Sequence, residues 1–282
     1  MRFLRQITGS FSSPAAGNPT VALVEAAYRH HGIEAVYVNC EVPADDLAAA
    51  VRGARAMGWA GFNASLPHKV AVLQHLDSVA TSAEVIGAVN CVVRDGERLV
   101  GHNTDGQGFL ASLRSVVDPA GRDVVVLGAG GAARAVAVEV ALAGARAVTV
   151  VSRSREKGQS LVDLLTERTP APASYAGWSG TWAVPAGTDV LVNATSIGFG
   201  PGAQDDCPDV DLAALAPGAV VADVVPATRP TALLLAAEAH GATTLGGAGM
   251  LVNQAVLGIR LWTGVVVDPA VLMAALAEVS VT

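Results

Sequence analysis

The residues from 124 to 153, VVVLGAGGAARAVAVEVALAGARAVTVVSR, carry the clearest chemistry in the chain. Gly128, Gly130 and Ala133 stand in G-x-G-x-x-A spacing, directly after a β-branched run and ahead of an Ala-rich stretch of helical period. That pattern suits a dinucleotide. The first glycine permits a tight turn, the second lets the backbone approach a pyrophosphate, and the helix N-terminus supplies free N–H groups and partial positive charge. Gly128, Ala129, Gly130, Gly131 and Ala132 are therefore the expected pyrophosphate cradle. The second β-branched run ends in Ser152, Arg153 and Ser154, with Lys157 close behind. An NAD enzyme usually places an acid there, against the ribose 2′-hydroxyl. A hydroxyl and a guanidinium suit a 2′-phosphate instead, so NADP is the expected cofactor. Glu156, one helical step further on, keeps NAD as the alternative.

Five polar strings lie outside this fingerprint: GFNASLPHK (61–69), IGAVNCV (86–92), GHNTDGQGF (101–109), NATSIGF (193–199) and GAGMLVNQA (247–255). Turning a ketone into an alcohol needs a hydride donor on one side and a proton donor hydrogen-bonded to the developing alkoxide on the other. Lys69 is the candidate proton donor, and Asp105 the carboxylate that would hold its ammonium. In order, and over nearly the full length, the strings resemble the shikimate dehydrogenase family. The resemblance carries that family's catalytic lysine and aspartate onto Lys69 and Asp105. It also places Ser65, Asn90 and Gln254 on substrate hydroxyls or carboxylate, with Asn63 partly structural. Thr195, beside Asn193 and Ser196, and Met250 fall near the nicotinamide; Asp223 is family-like as well. The implied reaction is the reversible, NADP-dependent reduction of 3-dehydroshikimate to shikimate.

Two departures bear on the substrate. Family members commonly carry an early G-x-P-x-x-H-S-x-S-P loop whose two serines bind the substrate carboxylate. Here GSFSSPAAGN runs from Gly9 to Asn18, four residues shorter between the glycine and Ser-Pro. Alignment on Pro14 brings Ser13 to the second serine and Phe11 to the first, whereas a shifted loop offers Ser10 and Ser12. The family's tyrosine near the end of the second sheet falls at about Pro226. Quinate, an aminoshikimate or another cyclitol carboxylate, possibly with NAD, is therefore the competing substrate, and a non-catalytic ligand sensor is the rival from a different class.

Short β-branched runs alternating with Ala/Leu-rich stretches read as α/β, in two domains. Strands are expected at Val36–Asn39, Gly61–Ala64, Val124–Leu127, Ala147–Ser152, Val190–Asn193 and Ala219–Asp223. Helices are expected at Pro19–His30, Asp45–Met57, Gly131–Leu142, Glu156–Thr166, Thr231–Ala239, Leu251–Thr263 and Pro269–Glu278. Pro170–Gly187 reads as irregular connection. The domain boundary is expected within Asp105–Asp118, just before a βαβ unit. Following the resemblance, residues 1–104 with 247–282 form a substrate domain, residues 105–246 form a doubly wound, Rossmann-type NADP domain, and a cleft lies between them. His30 and His31 should face different directions, and His68 should face solvent.

Composition removes other classes. A formal net charge of −7 over 282 residues repels a phosphate backbone, so nucleic acid is not an expected partner. Three widely spaced cysteines form neither a disulfide framework nor a metal knuckle, and no metal is expected. Mean hydropathy is positive, +0.44, but Arg134, Glu139 and Arg146 interrupt the longest apolar region, so no membrane span is expected. MRFLRQITGS reads as free of a targeting segment, which points to a cytoplasmic enzyme, monomeric or homodimeric.

Overall fold

The computed structural model describes residues 5–200, 203, 205–227 and 229–279; the start of the stretch read for a targeting signal, residues 1–4, lies outside them. The described residues divide into two compact units, one running up to Thr104 and resuming from Val252, the other Asp105–Leu251. The second thus runs five residues past the expected limit at 246.

The first unit contains β1 (Gln6–Ser12), α1 (Thr20–His30), β2 (Ala35–Glu41), α2 (Leu47–Ala56), β3 (Gly61–Ala64), α3 (His68–Ala71), β4 (Ser78–Val79), α4 (Thr81–Ile86), β5 (Cys91–Asp95) and β6 (Arg98–His102). Its sheet has the order β2-β1-β3-β5-β6-β4. Strands β1, β2 and β3 are mutually parallel, so their carboxyl ends finish at one edge, whereas β5 is antiparallel to β3 and to β6. The β5–β6 hairpin turns at Gly96-Glu97, where Gly96 has φ of +59°, a value that suits glycine.

Side-chain alternation gives this sheet two unlike faces. Phe11, Phe62 and Ala64 enter an apolar core with Trp59, Leu47 and Val51. Phe11 packs 4.4 Å from Phe62 and 5.6 Å from Trp59, centroid to centroid. On the opposite face stand Thr8, Ser10 and Ser12 of β1, Tyr37, Asn39 and Glu41 of β2, and Asn63 of β3, cross-strand neighbours by register. These polar groups are largely satisfied among themselves, as burial requires. Tyr37 donates to Asn63 Oδ1 at 2.7 Å, and burial pushes its phenol well above the ordinary range, so it stays protonated.

The second unit opens with α5 (Thr104–Leu113), a helix over most of the segment expected to form the boundary. It continues through β7 (Asp123–Leu127), α6 (Gly131–Leu142), β8 (Ala147–Ser152), α7 (Arg155–Arg168), β9 (Ala173–Gly177), β10 (Trp182–Ala183), β11 (Val190–Asn193), β12 (Val210–Asp211), β13 (Val220–Asp223), α8 (Ala232–Ala239) and β14 (Thr243–Leu245). Its main sheet is parallel throughout, in the order β14-β13-β11-β7-β8-β9. This is the doubly wound arrangement, and β7 and β11 flank the point at which strand order reverses. The segment Pro170–Gly187 is not irregular throughout: it holds β9, which pairs with β8, and β10, which pairs with β12. Its Ala, Gly and Ser content hid an edge strand.

The chain closes with α9 (Ala248–Thr263) and α10 (Pro269–Glu278). Helix α10 begins on Asp268, whose side chain accepts from Ala270 N at 2.9 Å, followed by Pro269 at a position where no amide is needed. From Val252 onward this segment belongs to the first unit. Trp262 Nε1 donates to Val92 O at 3.0 Å, and Gln6 Nε2 donates to Trp262 O at 2.9 Å.

Candidate active site

In the second unit, a cavity of about 800 Å³ opens at the carboxyl edge of the parallel sheet. Gly128, Ala129, Gly130, Gly131 and Ala132 line it from the β7–α6 turn, and Ser152, Arg153, Ser154 and Lys157 from the β8–α7 turn; Thr195 lines it after β11. Each glycine has its own reason. Gly128 has φ of +109°, and a Cβ there would lie 2.9 Å from Ala194 O. Gly130 has an ordinary φ of −85° and is the N-cap of α6, with no side chain capping the helix and nothing within 4 Å of a Cβ built on it. The free amides of α6 therefore face open space, as a pyrophosphate requires.

The β8–α7 turn is built locally. Ser152 Oγ accepts from Ser154 N and donates to Ser154 O, both at 3.2 Å, and Ser154 caps α7 by accepting from Lys157 N at 3.3 Å. Arg153 is exposed and lines the cavity. Glu156 lines a separate surface depression with Arg134 and Gln159. The acid that argued for NAD is therefore not among the cavity's lining residues, and the guanidinium is.

Thr195 spends its hydroxyl inside its own turn, donating to Asn193 Oδ1 at 2.7 Å and accepting from Ile197 N at 3.1 Å. Asn193 also donates to Asp223 at 3.0 Å, and Asp223 accepts from Val225 N and Thr231 Oγ1, at 3.0 and 2.8 Å. Burial raises the Asp223 carboxyl above its usual range, against the pull of those donors. Asn193 and Asp223 thus act as ties between β11 and β13. Met250, in the first turn of α9, is not among the lining residues; Phe199 and Pro226 are, together with Trp178, Val224 and Val225, which no sequence signal marked.

In the first unit, backbone bonds gather the candidate substrate residues at the carboxyl ends of β1 to β3. Ser65 N donates to Phe11 O and Ser13 N to Leu66 O, both at 3.0 Å, and Val89 N donates to Lys69 O at 2.8 Å. Lys69 lies on the short α3, partly buried, in the turn that these bonds hold. His68 does not face solvent: it is 1% exposed, and its Nε2 lies 2.8 Å from Val42 O, which fixes the turn that carries Lys69. His30 and His31 also depart from expectation. Their rings meet edge-on at 4.8 Å, because α1 ends at His30 and the chain turns at His31.

Asn90 is buried, with its amide engaged: Oδ1 accepts from Thr104 N at 2.6 Å and Nδ2 donates to Thr104 Oγ1 at 3.0 Å. It therefore fixes the start of the segment that carries Asp105. Asn63 is structural, donating to Asn90 O at 2.9 Å. Ser10 is fully buried, donating to Asn39 Oδ1 at 2.6 Å and accepting from Asn18 Nδ2 at 3.0 Å. Phe11 belongs to the core. Ser13 Oγ donates to Glu41 Oε1 at 2.6 Å. Ser12 is 4% exposed and its hydroxyl has no partner among the described residues. Gln254, in α9, is 5% exposed. Among the described residues, no group of His, Cys, Asp or Glu could hold a metal ion, and no helix is long and apolar enough to cross a membrane.

Residues 12–92 match the model of the shikimate dehydrogenase substrate binding domain, and residues 247–277 that of the shikimate 5′-dehydrogenase C-terminal domain. A shikimate dehydrogenase (NADP(+)) from Symbiobacterium thermophilum is 41% identical over 92% of this chain and 89% of its own length. The chain belongs to the shikimate dehydrogenase family. Members of this family are oxidoreductases that act on CH–OH groups. Among solved structures, a 5-ketofructose reductase from Gluconobacter sp. strain CHM43 is 54% identical, with a TM-score of 0.95 over 98% of this chain and 99% of that one. A quinate dehydrogenase from Corynebacterium glutamicum, solved with NAD, is 30% identical, with a TM-score of 0.86 over 98% of this chain and 99% of that one.

Proposed function

We propose that this chain is an NADPH-dependent reductase of a small polyhydroxylated ketone, working reversibly, with Lys69 as proton donor and Asp105 as its supporting carboxylate. The observation that carries this reading is the single cavity lined by all ten residues from Gly128 to Thr195 that the sequence marked for the cofactor. NADPH fits it: open space before the α6 amides takes the pyrophosphate, and Arg153 with Lys157 supplies positive charge for a 2′-phosphate. When bound, the nicotinamide supplies the hydride that makes the carbonyl carbon a carbinol carbon.

The chain's own part is protonic and positional. The Lys69 ammonium donates a proton to the carbonyl oxygen as negative charge develops there, and takes it back from the hydroxyl in the reverse direction. The Asp105 carboxylate favours the charged ammonium and orients it. Ser65, Ser12 and Gln254 supply neutral hydrogen-bonding groups for substrate hydroxyls. The curated relatives favour 3-dehydroshikimate as the ketone, and the 5-ketofructose reductase favours a keto-sugar.

Absorbance at 340 nm tests this directly. Purified protein is given NADPH or NADH with 3-dehydroshikimate, 3-dehydroquinate and 5-ketofructose in turn. Oxidation of NADPH with at least one ketone, and slower oxidation of NADH, is the expected result. Binding of NADPH without turnover of any ketone would favour a ligand sensor.

A further inference from the structure

At the carboxyl ends of β1 and β2, Ser12 and Glu41 are register partners on the polar face of the sheet. Open α/β sheets bind ligands at that edge. The Ser65–Lys69 turn is tied to it by the bonds from Ser65 N to Phe11 O and from Ser13 N to Leu66 O. Two groups there have hydrogen-bonding capacity to spare. The buried Ser12 hydroxyl is without a partner among the described residues. Glu41 accepts one bond at each oxygen, from Ser13 Oγ at 2.6 Å and from Ala15 N at 2.5 Å, and a carboxylate has room for about four. None of the ion pairs among the described residues includes Glu41. Its two donors hold the carboxyl below the usual carboxylate range, so it is charged near neutrality.

We propose that Glu41 is a specificity-determining residue, which selects uncharged polyhydroxylated ketones over carboxylated ones at the Lys69 site. The proposal rests on the reductase reading above and deepens it. Glu41 accepts a substrate hydroxyl, Ser12 completes the contact, and a substrate carboxylate in the same place meets a like charge. Ser13, the hydroxyl best aligned with the family's loop, is already spent on Glu41, and Ser10 is spent on Asn39 and Asn18.

The test measures kcat/KM of the wild type, Glu41→Gln and Glu41→Ser for 5-ketofructose and for 3-dehydroshikimate, with NADPH. The wild type should favour the uncharged ketone by at least about tenfold, and both substitutions should move the ratio toward the carboxylated ketone by about 10- to 100-fold, as removal of a like-charge contact does. Equal losses on both ketones would show a merely structural residue and overturn the proposal. A wild type that prefers 3-dehydroshikimate would also overturn it, and decides the matter even if neither variant folds. Absence of NADPH oxidation with both of these ketones would overturn the role of Glu41, and absence with 3-dehydroquinate as well would overturn the reductase reading.

Discussion

Two glycines separated by a single residue should respond to substitution in opposite ways. Gly128→Ala places a Cβ at φ of +109°, within 2.9 Å of Ala194 O. That backbone strain costs about 1–3 kcal/mol. For a domain of this size, each kcal/mol lowers Tm by about 2–4 °C, so a fall of roughly 2–12 °C is expected. Gly130→Asp meets nothing within 4 Å, keeps an ordinary φ and supplies α6 with the side-chain cap that it lacks. Asp is among the best N-caps and favours the positive end of a helix, so stability should hold or rise. The same carboxylate stands where the pyrophosphate must come. A like charge about 4 Å away costs about 4 kcal/mol at an effective dielectric near 20, a loss of roughly a thousandfold in affinity. Thermal melting of both variants, with fluorescence titration by NADPH, reads the two effects separately. Near-wild-type NADPH affinity in Gly130→Asp would refute the placement of the pyrophosphate at α6, and an unchanged melting point in Gly128→Ala would refute the claim that the turn demands glycine.

Lys69→Ala should lower kcat by about 10²- to 10⁴-fold while leaving NADPH affinity near wild type, since a positioned acid is worth that much; steady-state turnover with a separate NADPH titration checks it. Arg153→Ala should weaken NADPH far more than NADH, and equal effects in the two titrations would remove Arg153 from the 2′-phosphate. Glu41 and Asp77 have carboxyls held below the ordinary range, the latter chiefly by Leu99 N and Arg55. Their contribution is complete above the unfolded carboxylate pKa and lost as pH falls through their lower folded values. Melting points should therefore fall on acidification, and fall less steeply in an Asp77→Asn variant.

The nucleotide half of the site was legible because its signals are local. Glycine demand, strand end and helix start all fall within a few residues of one another, and Gly131–Leu142, Ala147–Ser152 and Val190–Asn193 form as their patterns predict. The substrate half was legible only as residue types. Strand β1, QITGSFS, reads as a polar string although Ile7 and Phe11 alternate with Thr8, Ser10 and Ser12, because Gly9 interrupts its apolar face and its polar face is buried too. That Asn90 ties down Thr104, at the start of the segment that carries Asp105, is invisible in sequence, where the two lie fourteen residues apart. Glu41 is unremarkable in sequence, since its donors, Ser13 and Ala15, lie 28 and 26 residues away. The β5–β6 hairpin left only a weak signal, Asp95-Gly96 between short apolar runs that do not alternate.

The interrupted first unit has a consequence for biosynthesis. Residues up to Thr104 emerge from the ribosome long before Val252, yet β5 receives a bond from Trp262, and α1 is covered by α10. During translation this half waits with an unfinished apolar surface while the uninterrupted dinucleotide unit matures behind it. Premature stop codons late in the message should accordingly yield chains that fold their second half and expose their first to proteases.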